Sequence, residues 1–588
     1  MNWTTRKMRL PEYPLLVILA IGKCVGRWRS IRLCALKGLV VVGLSILIAA
    51  CANNDGVGSS NTSASTPGPI FYIDPTCVSN GDGATTTCGE HGPFNSWKKI
   101  VSWVPGATYA GKGGTSETLT NFIMRQSGSP GKPITVTSFG VGQFTFRSTT
   151  SYAVAASNAS YITWDNVAFE STATHCLYLA GTGRHLVVNE SLFQRCGQSG
   201  VATHGVLFEQ GPTNDFDHIA IVNNTFTGVT GSAVNGDLDV ASSENWDTIT
   251  ISNNTITGAG SEATAPAIDF IAIAGTAASI SNLDISGNTI TNSNVGWEPA
   301  ASLIRVFRNV TATPQENRFL GIRVMNNTLS NSRGGIFVSH VGLLPGAQNC
   351  ICNNTLANLV TNAGIAPWSS TDMLVEQNTI TGLIPGITGI DGMGIDAERN
   401  IAPRPHNVII RRNIIRDNLG GHGNPTGQGI YLWGSASTDV YANLIVHCHT
   451  GLLIDGGLNA DENFIANNTI IDSTQDGIWA SFSVTQISQF TNNIVVGSGR
   501  YGFYRFGLSD QVLMKNLFFG NQGGDYFQQT SHPTDIVGSD PLFVAPNDYQ
   551  LQMNSPARGA GIDWGTQCAD LLGQPCLPGH INLGAYQN

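Results

Sequence analysis

The feature that most constrains this chain is a short phrase that returns along most of its length. Asn-Asn-Thr stands at Asn223-Asn224-Thr225, Asn253-Asn254-Thr255, Asn326-Asn327-Thr328, Asn353-Asn354-Thr355 and Asn467-Asn468-Thr469. Variants occupy Gly287-Asn288-Thr289 and Gln377-Asn378-Thr379. Degenerate copies drop the Thr, at Arg412-Asn413-Ile414, Ala442-Asn443-Leu444, Asn492-Asn493-Ile494 and Lys515-Asn516-Leu517. The second Asn recurs every 23 to 39 residues, a period that marks a solenoid. Around it apolar and polar residues alternate, as in Thr248-Ile249-Thr250-Ile251-Ser252, and a period of two means strand rather than helix. A third short run follows, usually opened by Gly, as in Gly429-Ile430-Tyr431-Leu432 and Gly451-Leu452-Leu453-Ile454. Three strands per repeat with no helix between them describe an all-β fold, a single-stranded right-handed parallel β-helix (solenoid). In such a fold each coil covers its neighbour at ~4.8 Å. The Asn is expected at the bend between the first two strands, tolerating left-handed backbone there and bonding the Asn of the adjacent coil.

The first 51 residues do not carry this pattern. Arg27, Arg29, Arg32 and Lys37 precede an apolar run over residues 39–50 that ends Ile48-Ala49-Ala50-Cys51, the arrangement of a secretory signal behind an unusually long preamble. The ending resembles a bacterial lipobox, which implies acylation of Cys51 and a membrane anchor. Ala52 stands where an inner-membrane retention signal would have Asp, so by resemblance to Gram-negative lipoproteins the outer membrane is expected. Residues 52–69 are a tether of Gly, Ser, Thr, Asn and Pro. Residues 70–150 read as an N-terminal cap and first coils, 151–535 as the repeats and 536–588 as a C-terminal cap. Within 94–104, Trp97, Ile100, Val101 and Val104 suit one face of a short capping helix, which would cover the open end of the solenoid.

Several segments then resemble extracellular β-helix proteins of the pectate-lyase-like superfamily. They are Phe71-Tyr72-Ile73-Asp74-Pro75 through Trp97-Lys98-Lys99-Ile100, Pro105-Gly106-Ala107-Thr108-Tyr109, Gly131-Lys132-Pro133-Ile134-Thr135, Asp540-Pro541-Leu542-Phe543 and Leu583-Gly584-Ala585-Tyr586. The resemblance covers about residues 70–588. It implies the fold and a cell-surface setting, while the superfamily spans lyases, hydrolases, epimerases and non-enzymes.

Charge narrows the partners. After Cys51 the chain has 22 Lys+Arg against 39 Asp+Glu, a net of −17, which argues against nucleic acid and disfavours a polyanionic glycan unless calcium bridges it. Among the cysteines, Cys77/Cys88 and Cys568/Cys576 are close pairs expected as disulfides. Cys176 and Cys196 lie about one coil apart and can face each other. Cys350 and Cys352 share a strand face and are expected as stacked apolar residues rather than partners, and Cys448 as a buried thiol.

Chemistry is expected on the outer face of the strand that follows the Gly. With Ile430 and Leu432 inward, the outward pairs along the axis include Asn235/Asp237, Asp269/Ile271, Arg305/Phe307, Ala366/Trp368, Asp396/Glu398, Tyr431/Trp433, Leu453/Asp455 and Trp479/Ser481. A one-residue slip would exchange the faces. Asp396, Glu398 and Asp455 are the candidate catalytic carboxylates. Trp368, Tyr431, Trp433, Arg305 and His422 (in the loop before Tyr431) are the candidate substrate-binding residues. Asp237 and Asp269 are a weak calcium site, and no cofactor is otherwise required. The expectation is a monomeric, lipid-anchored surface protein that cleaves a polysaccharide as an inverting glycoside hydrolase. A polysaccharide lyase, with Arg305 or a histidine such as His340 as base, and a non-catalytic glycan-binding protein are the alternatives.

Overall fold

The computed structural model describes residues 68–587, apart from 198–202, 210–213, 239–244, 261–264, 273–278, 294–301, 309–318, 343, 385–391, 399–404, 421–426, 436, 456–462, 483–486, 508–509 and 566–567. Cys51 and His422 therefore lie outside the described residues. The chain winds through three long parallel sheets. Sheet I holds the strand before each repeat Asn (such as Asn349–Cys352), sheet II the strand after it (Thr355–Ala357) and sheet III the strand after the Gly (Ala363–Trp368). Successive coils pair in register, so equivalent residues stack in files along the axis.

The two tasks expected of one Asn fall to neighbouring residues. The left-handed backbone belongs to the residue before the marker, as at Asn326, Asn353, Arg412, Ala442 and Lys515 (φ 57, 57, 55, 54 and 61°). That position varies because it needs only a tolerated φ. The marker Asn makes the ladder. The Asn327 backbone N–H and side-chain Nδ2 both donate to Asn354 Oδ1 at 3.0 Å, and the other Nδ2 hydrogen goes to the Ile285 carbonyl at 2.9 Å. Asn288 makes the same two bonds to Asn327 Oδ1. The series runs from Asn224 to Asn516 and ends on Asp535 Oδ1. Each buried amide thus has its donors and acceptor used, the condition for placing it in an apolar interior.

The degenerate copies have a physical cause. In sheet II, Thr225, Thr255, Thr289, Thr328, Thr355 and Thr379 stack in one outward file that continues as Ile414, Leu444, Thr469, Ile494 and Leu517. The C-terminal residues run back over the later rungs. Tyr549, Leu571 and Ala585 pack on Leu444, Val446 and Ile471, while Leu551, Ala557 and Leu583 pack on Ile494 and Leu517. Thr becomes Ile or Leu where the rung is covered. Thr469 keeps its hydroxyl, which accepts from the Ala585 N–H at 2.8 Å.

The core is one continuous column. In the early coils it is aromatic, with Phe146, Phe169, Phe193 and Phe226 stacked ring on ring. Later it is aliphatic, through Ile256 to Ile470 in the same file. The helix expected over 94–104 is reduced to a single 3-10 turn, Trp97–Lys99. Trp97 is pulled into the core against Phe144, Phe146 and Trp103, and Ile100 turns extended, so the chain lies flat across the open end. Val101 accordingly faces solvent instead of sharing a buried helix face.

Disulfides join Cys77–Cys88, Cys176–Cys196 and Cys568–Cys576, and Cys448 is a buried thiol. Cys350 and Cys352 are also bonded to each other, contrary to expectation. Their Cα atoms on one strand face lie 5.5 Å apart, inside disulfide range.

Candidate functional site

The site is built on consecutive rungs of sheet III: Met393–Glu398, Gln428–Trp433, Thr450–Asp455 and Ile478–Phe482. Ile430 and Leu432 point into the core as their alternation requires. Outside, Glu398, Trp433, Asp455 and Ser481 form one file along the axis. Asp396, Tyr431, Leu453 and Trp479 form the neighbouring file. A cavity of about 290 Å³ opens there, lined by Met393, Glu398, Gln428, Tyr431, Leu453, Asp455, Trp479 and Ser481.

Glycine shapes one wall of this cavity. A Cβ on Gly429 would lie 2.4 Å from Ile445 Cγ2, and one on Gly451 2.3 Å from Ile470 Cγ2. Only Gly lets sheet III approach the sheet II core this closely. Because Gly429 and Ile430 both face inward, the alternation slips by one, and Gln428 reaches the cavity rather than the core. Met393 is displaced in the same way and packs outside with Phe337, Ala366 and Tyr431. Strict counting back from Ile430 misses both residues. The Gly before each apolar run was the signal that could have found them.

Of the residues singled out from sequence, Glu398, Tyr431 and Asp455 line the cavity. Glu398 and Asp455 are two rungs apart, ~10 Å along the axis. Trp433 lies between them in register but outside the lining. Asp396, only 2% exposed, accepts a hydrogen bond from Trp368 Nε1 at 2.7 Å, so these two meet each other below the surface. Trp479 is the aromatic that the cavity adds. It meets Tyr504 edge to face at 5.5 Å and 85°. Tyr504 is itself engaged, stacked on Phe527 at 4.8 Å with Arg500 over its ring at 4.4 Å. Arg500 is held by the fully buried Asp476, Nε to Oδ1 at 2.9 Å, and this pairing keeps its guanidinium firmly protonated.

Arg305, Asp269 and Asp237 lie three to five rungs toward the N-terminus. Arg305 Nε and Nη2 donate to Asp269 Oδ1 and Oδ2 at 2.8 and 2.7 Å, occupying both oxygens. Asp237 sits beside this pair. Burial, and next the Asp269 charge, push its carboxyl up to about 6, with Arg305 pulling the other way. His340 is buried against Ser339.

Residues 389–540, which include these rungs, match the family model described as periplasmic copper-binding protein (NosD). No curated protein sequence matches the chain. Among solved structures, the GH136 lacto-N-biosidase from Eubacterium ramulus is 11% identical, with a TM-score of 0.31 over 80% of this chain and 68% of that one. The PL6 family alginate lyase AlyGC is 14% identical, with a TM-score of 0.35 over 85% and 59%. Pectate lyase Pel9A is 13% identical, with a TM-score of 0.21 over 89% and 97%. The three parallel sheets make the fold a parallel β-helix. At these identities the likeness concerns the fold alone, and the β-helix supplies the frame on which the cavity is read.

Proposed function

We propose that the protein cleaves a polysaccharide at the cell envelope, as a glycoside hydrolase of inverting type. The observation that carries this reading is the pair Glu398 and Asp455, held on strands that line one cavity together with Tyr431, Leu453 and Trp479. Inverting enzymes hold their two carboxyls ~6.5–9.5 Å apart, and retaining enzymes ~5–5.5 Å. A spacing of two rungs, ~10 Å at the backbone, leaves room for side chains of this length to converge around a sugar and a water. One carboxyl, protonated, gives its proton to the departing glycosidic oxygen. The other takes a proton from the water that attacks the anomeric carbon from the opposite face. Asp396, tied to Trp368, acts as a positioning residue beneath Tyr431.

A lyase would need a cation to neutralise a uronate and a base for its C5 proton. Arg305 and Arg500, two of the arginines described on or beside this face, each point their forks at an Asp. Uronate elimination is therefore the weaker reading.

The described residues give copper binding no support. Among the described residues, the one group of three His, Cys, Asp or Glu donors close enough to share an ion is Asp74, Cys77 and Cys88, whose two sulfurs are joined. Within 389–540, burial pushes the Cys448 thiol up to about 12, away from the thiolate that a soft metal needs. The proposed reaction requires no cofactor. The envelope location rests on the lipobox-like Ile48-Ala49-Ala50-Cys51, and the Cys51→Ala chain should lose the membrane association that persists at high salt.

The deciding experiment is a polysaccharide panel. Release of reducing ends without an ultraviolet-absorbing unsaturated product supports the hydrolase. An unsaturated product would make the protein a lyase, and retention of a glycan without cleavage would make it a binder.

A further inference from the structure

A different part of the molecule carries an inference independent of the cavity. Residues 70–150 contain six Lys+Arg and four Asp+Glu, whereas residues 151–588 contain 16 and 34. Four of the five lysines after Cys51 (Lys98, Lys99, Lys112 and Lys132) lie in that first segment. Three of them, Lys98, Lys99 and Lys132, are exposed, with Glu117 turned inward beside Lys98 to accept from Ser96 Oγ and the Trp97 N–H. Trp97 is buried on the first coils and Trp103 stacks on it at 6.2 Å, so the intervening chain lies across the open end of the core. Lys98, Lys99 and Val101 turn away from that core, with Val101 90% exposed and Val104 40% exposed. Lys132 is also exposed, and its stem lies beside Gly106, within 3.3 Å of where a Cβ there would sit. The described chain begins at this same place. Gly68 lies against the Gly106 carbonyl, and Pro69 accepts from the Thr108 N–H at 2.9 Å.

We propose that this N-terminal end of the solenoid is a docking surface for an anionic lipid bilayer. The three lysines meet the lipid phosphates and the valines reach between the headgroups. Lysines near an anionic surface gain electrostatically, while the strongly acidic remainder of the molecule is repelled from it. Exposed valines beside lysines suit an interface that is charged outside and apolar within. The solenoid would then stand end-on, with sheet III presented along its side rather than pressed to the membrane.

The test uses the chain from Ala52, which keeps the whole compact unit from Pro67 onward and lacks the lipidation cysteine. Flotation is measured with vesicles of equal phosphatidylglycerol and phosphatidylcholine, and with phosphatidylcholine alone. Binding is expected to the anionic vesicles only, and to weaken as salt shortens the Debye length. The triple reversal Lys98→Glu, Lys99→Glu and Lys132→Glu should weaken it roughly a hundredfold. Lys515→Glu, at the far end, should leave it unchanged. Should the triple variant fold poorly, the single change Val101→Asp on the exposed loop tests the same surface. No flotation with anionic vesicles at low salt would overturn the proposal. So would equal flotation of parent and charge-reversed chains, or capture by an anionic polysaccharide in preference to the vesicles.

Discussion

Two groups of acidic side chains share the outer face of sheet III, and the fold treats them in opposite ways. Toward the N-terminus, Asp269 is 5% exposed at its side chain and both its oxygens are held by Arg305. Toward the C-terminus, Glu398 and Asp455 line an open cavity among Tyr431, Leu453 and Trp479. The backbone beneath them is the same three-stranded coil. Neighbours in the file make the difference, since Arg305 stacks directly on Asp269 in register, whereas the rung between Glu398 and Asp455 offers Trp433. A carboxylate on this face is therefore buried under a guanidinium or set at a cavity according to the residue one coil away.

The sharpest way to break this comparison is to neutralise each group in turn. Glu398→Gln and Asp455→Asn should each lower turnover on the polysaccharide found by screening by about a hundred- to ten-thousand-fold, with the melting temperature near the parent's. Asp269→Asn should leave turnover per folded molecule unchanged. If both amide variants at the cavity keep parental rates, the catalytic assignment is wrong and the two groups are alike.

The next effect is on folding. Arg305→Ala leaves Asp269 buried without its partner and beside Asp237, a change of about 3–5 kcal/mol in the unfolding free energy. Denaturant unfolding of the soluble chain measures it. A loss under about 1 kcal/mol would mean that water compensates Asp269, and that this cluster is more open than its geometry implies.

Third comes the share of the pH dependence that the N-terminal cluster contributes, beside that of Asp439, which burial also pushes up to about 6. The Asp237 carboxyl titrates near 3.9 in an unfolded chain and at about 6 in the fold. Its ionised form is penalised by the fold, so the penalty is fully present above about pH 6 and absent below about pH 4. The contribution of Asp237 to stability should therefore fall as pH rises through that window, by about 3 kcal/mol at most, read as the difference between the parent and Asp237→Asn. Asp237→Asn should flatten this slope, and an unchanged slope would assign it to another group.

How much of this was legible beforehand follows from what each residue answers to. The Asn ladder and the in/out alternation of sheet III answer to local geometry repeated in every coil, so counting residues placed Ile430, Tyr431, Leu432 and Trp433 correctly. The cavity answers to contacts between coils. Gln428 and Met393 reach it because Gly429 and its equivalents yield to the sheet II core, a distance that no single strand reveals. The outward series already set Asp269 and Arg305 at equivalent positions of successive coils, 36 residues apart, but the fork that occupies both carboxylate oxygens is a side-chain geometry no count reveals. By sequence the copies without Thr are merely degenerate. They are instead the imprint of residues 549–585, which pack back on those rungs. The capping helix failed because one large side chain, Trp97, gained more by filling the open core than a helical turn offers three or four residues.

The smallest effect concerns the aromatics, and it sharpens the comparison most finely. Trp368 and Trp479 stand on the same face, yet the indole of Trp368 is spent on Asp396 and its ring meets Phe337 edge to face at 4.9 Å. Trp479 is turned across Tyr504 and lines the cavity, so it can meet a sugar ring. Trp479→Leu keeps apolar volume but removes the flat surface, and should raise KM roughly three- to tenfold with kcat little changed. Trp368→Leu removes the donor to a buried carboxylate and should act on kcat and on the melting temperature, with KM nearly constant. The two variants should thus separate along different kinetic axes. If both move only KM, then Trp368 touches the substrate as well, and the boundary between the locked and the open part of this face lies at least one rung closer to Arg305.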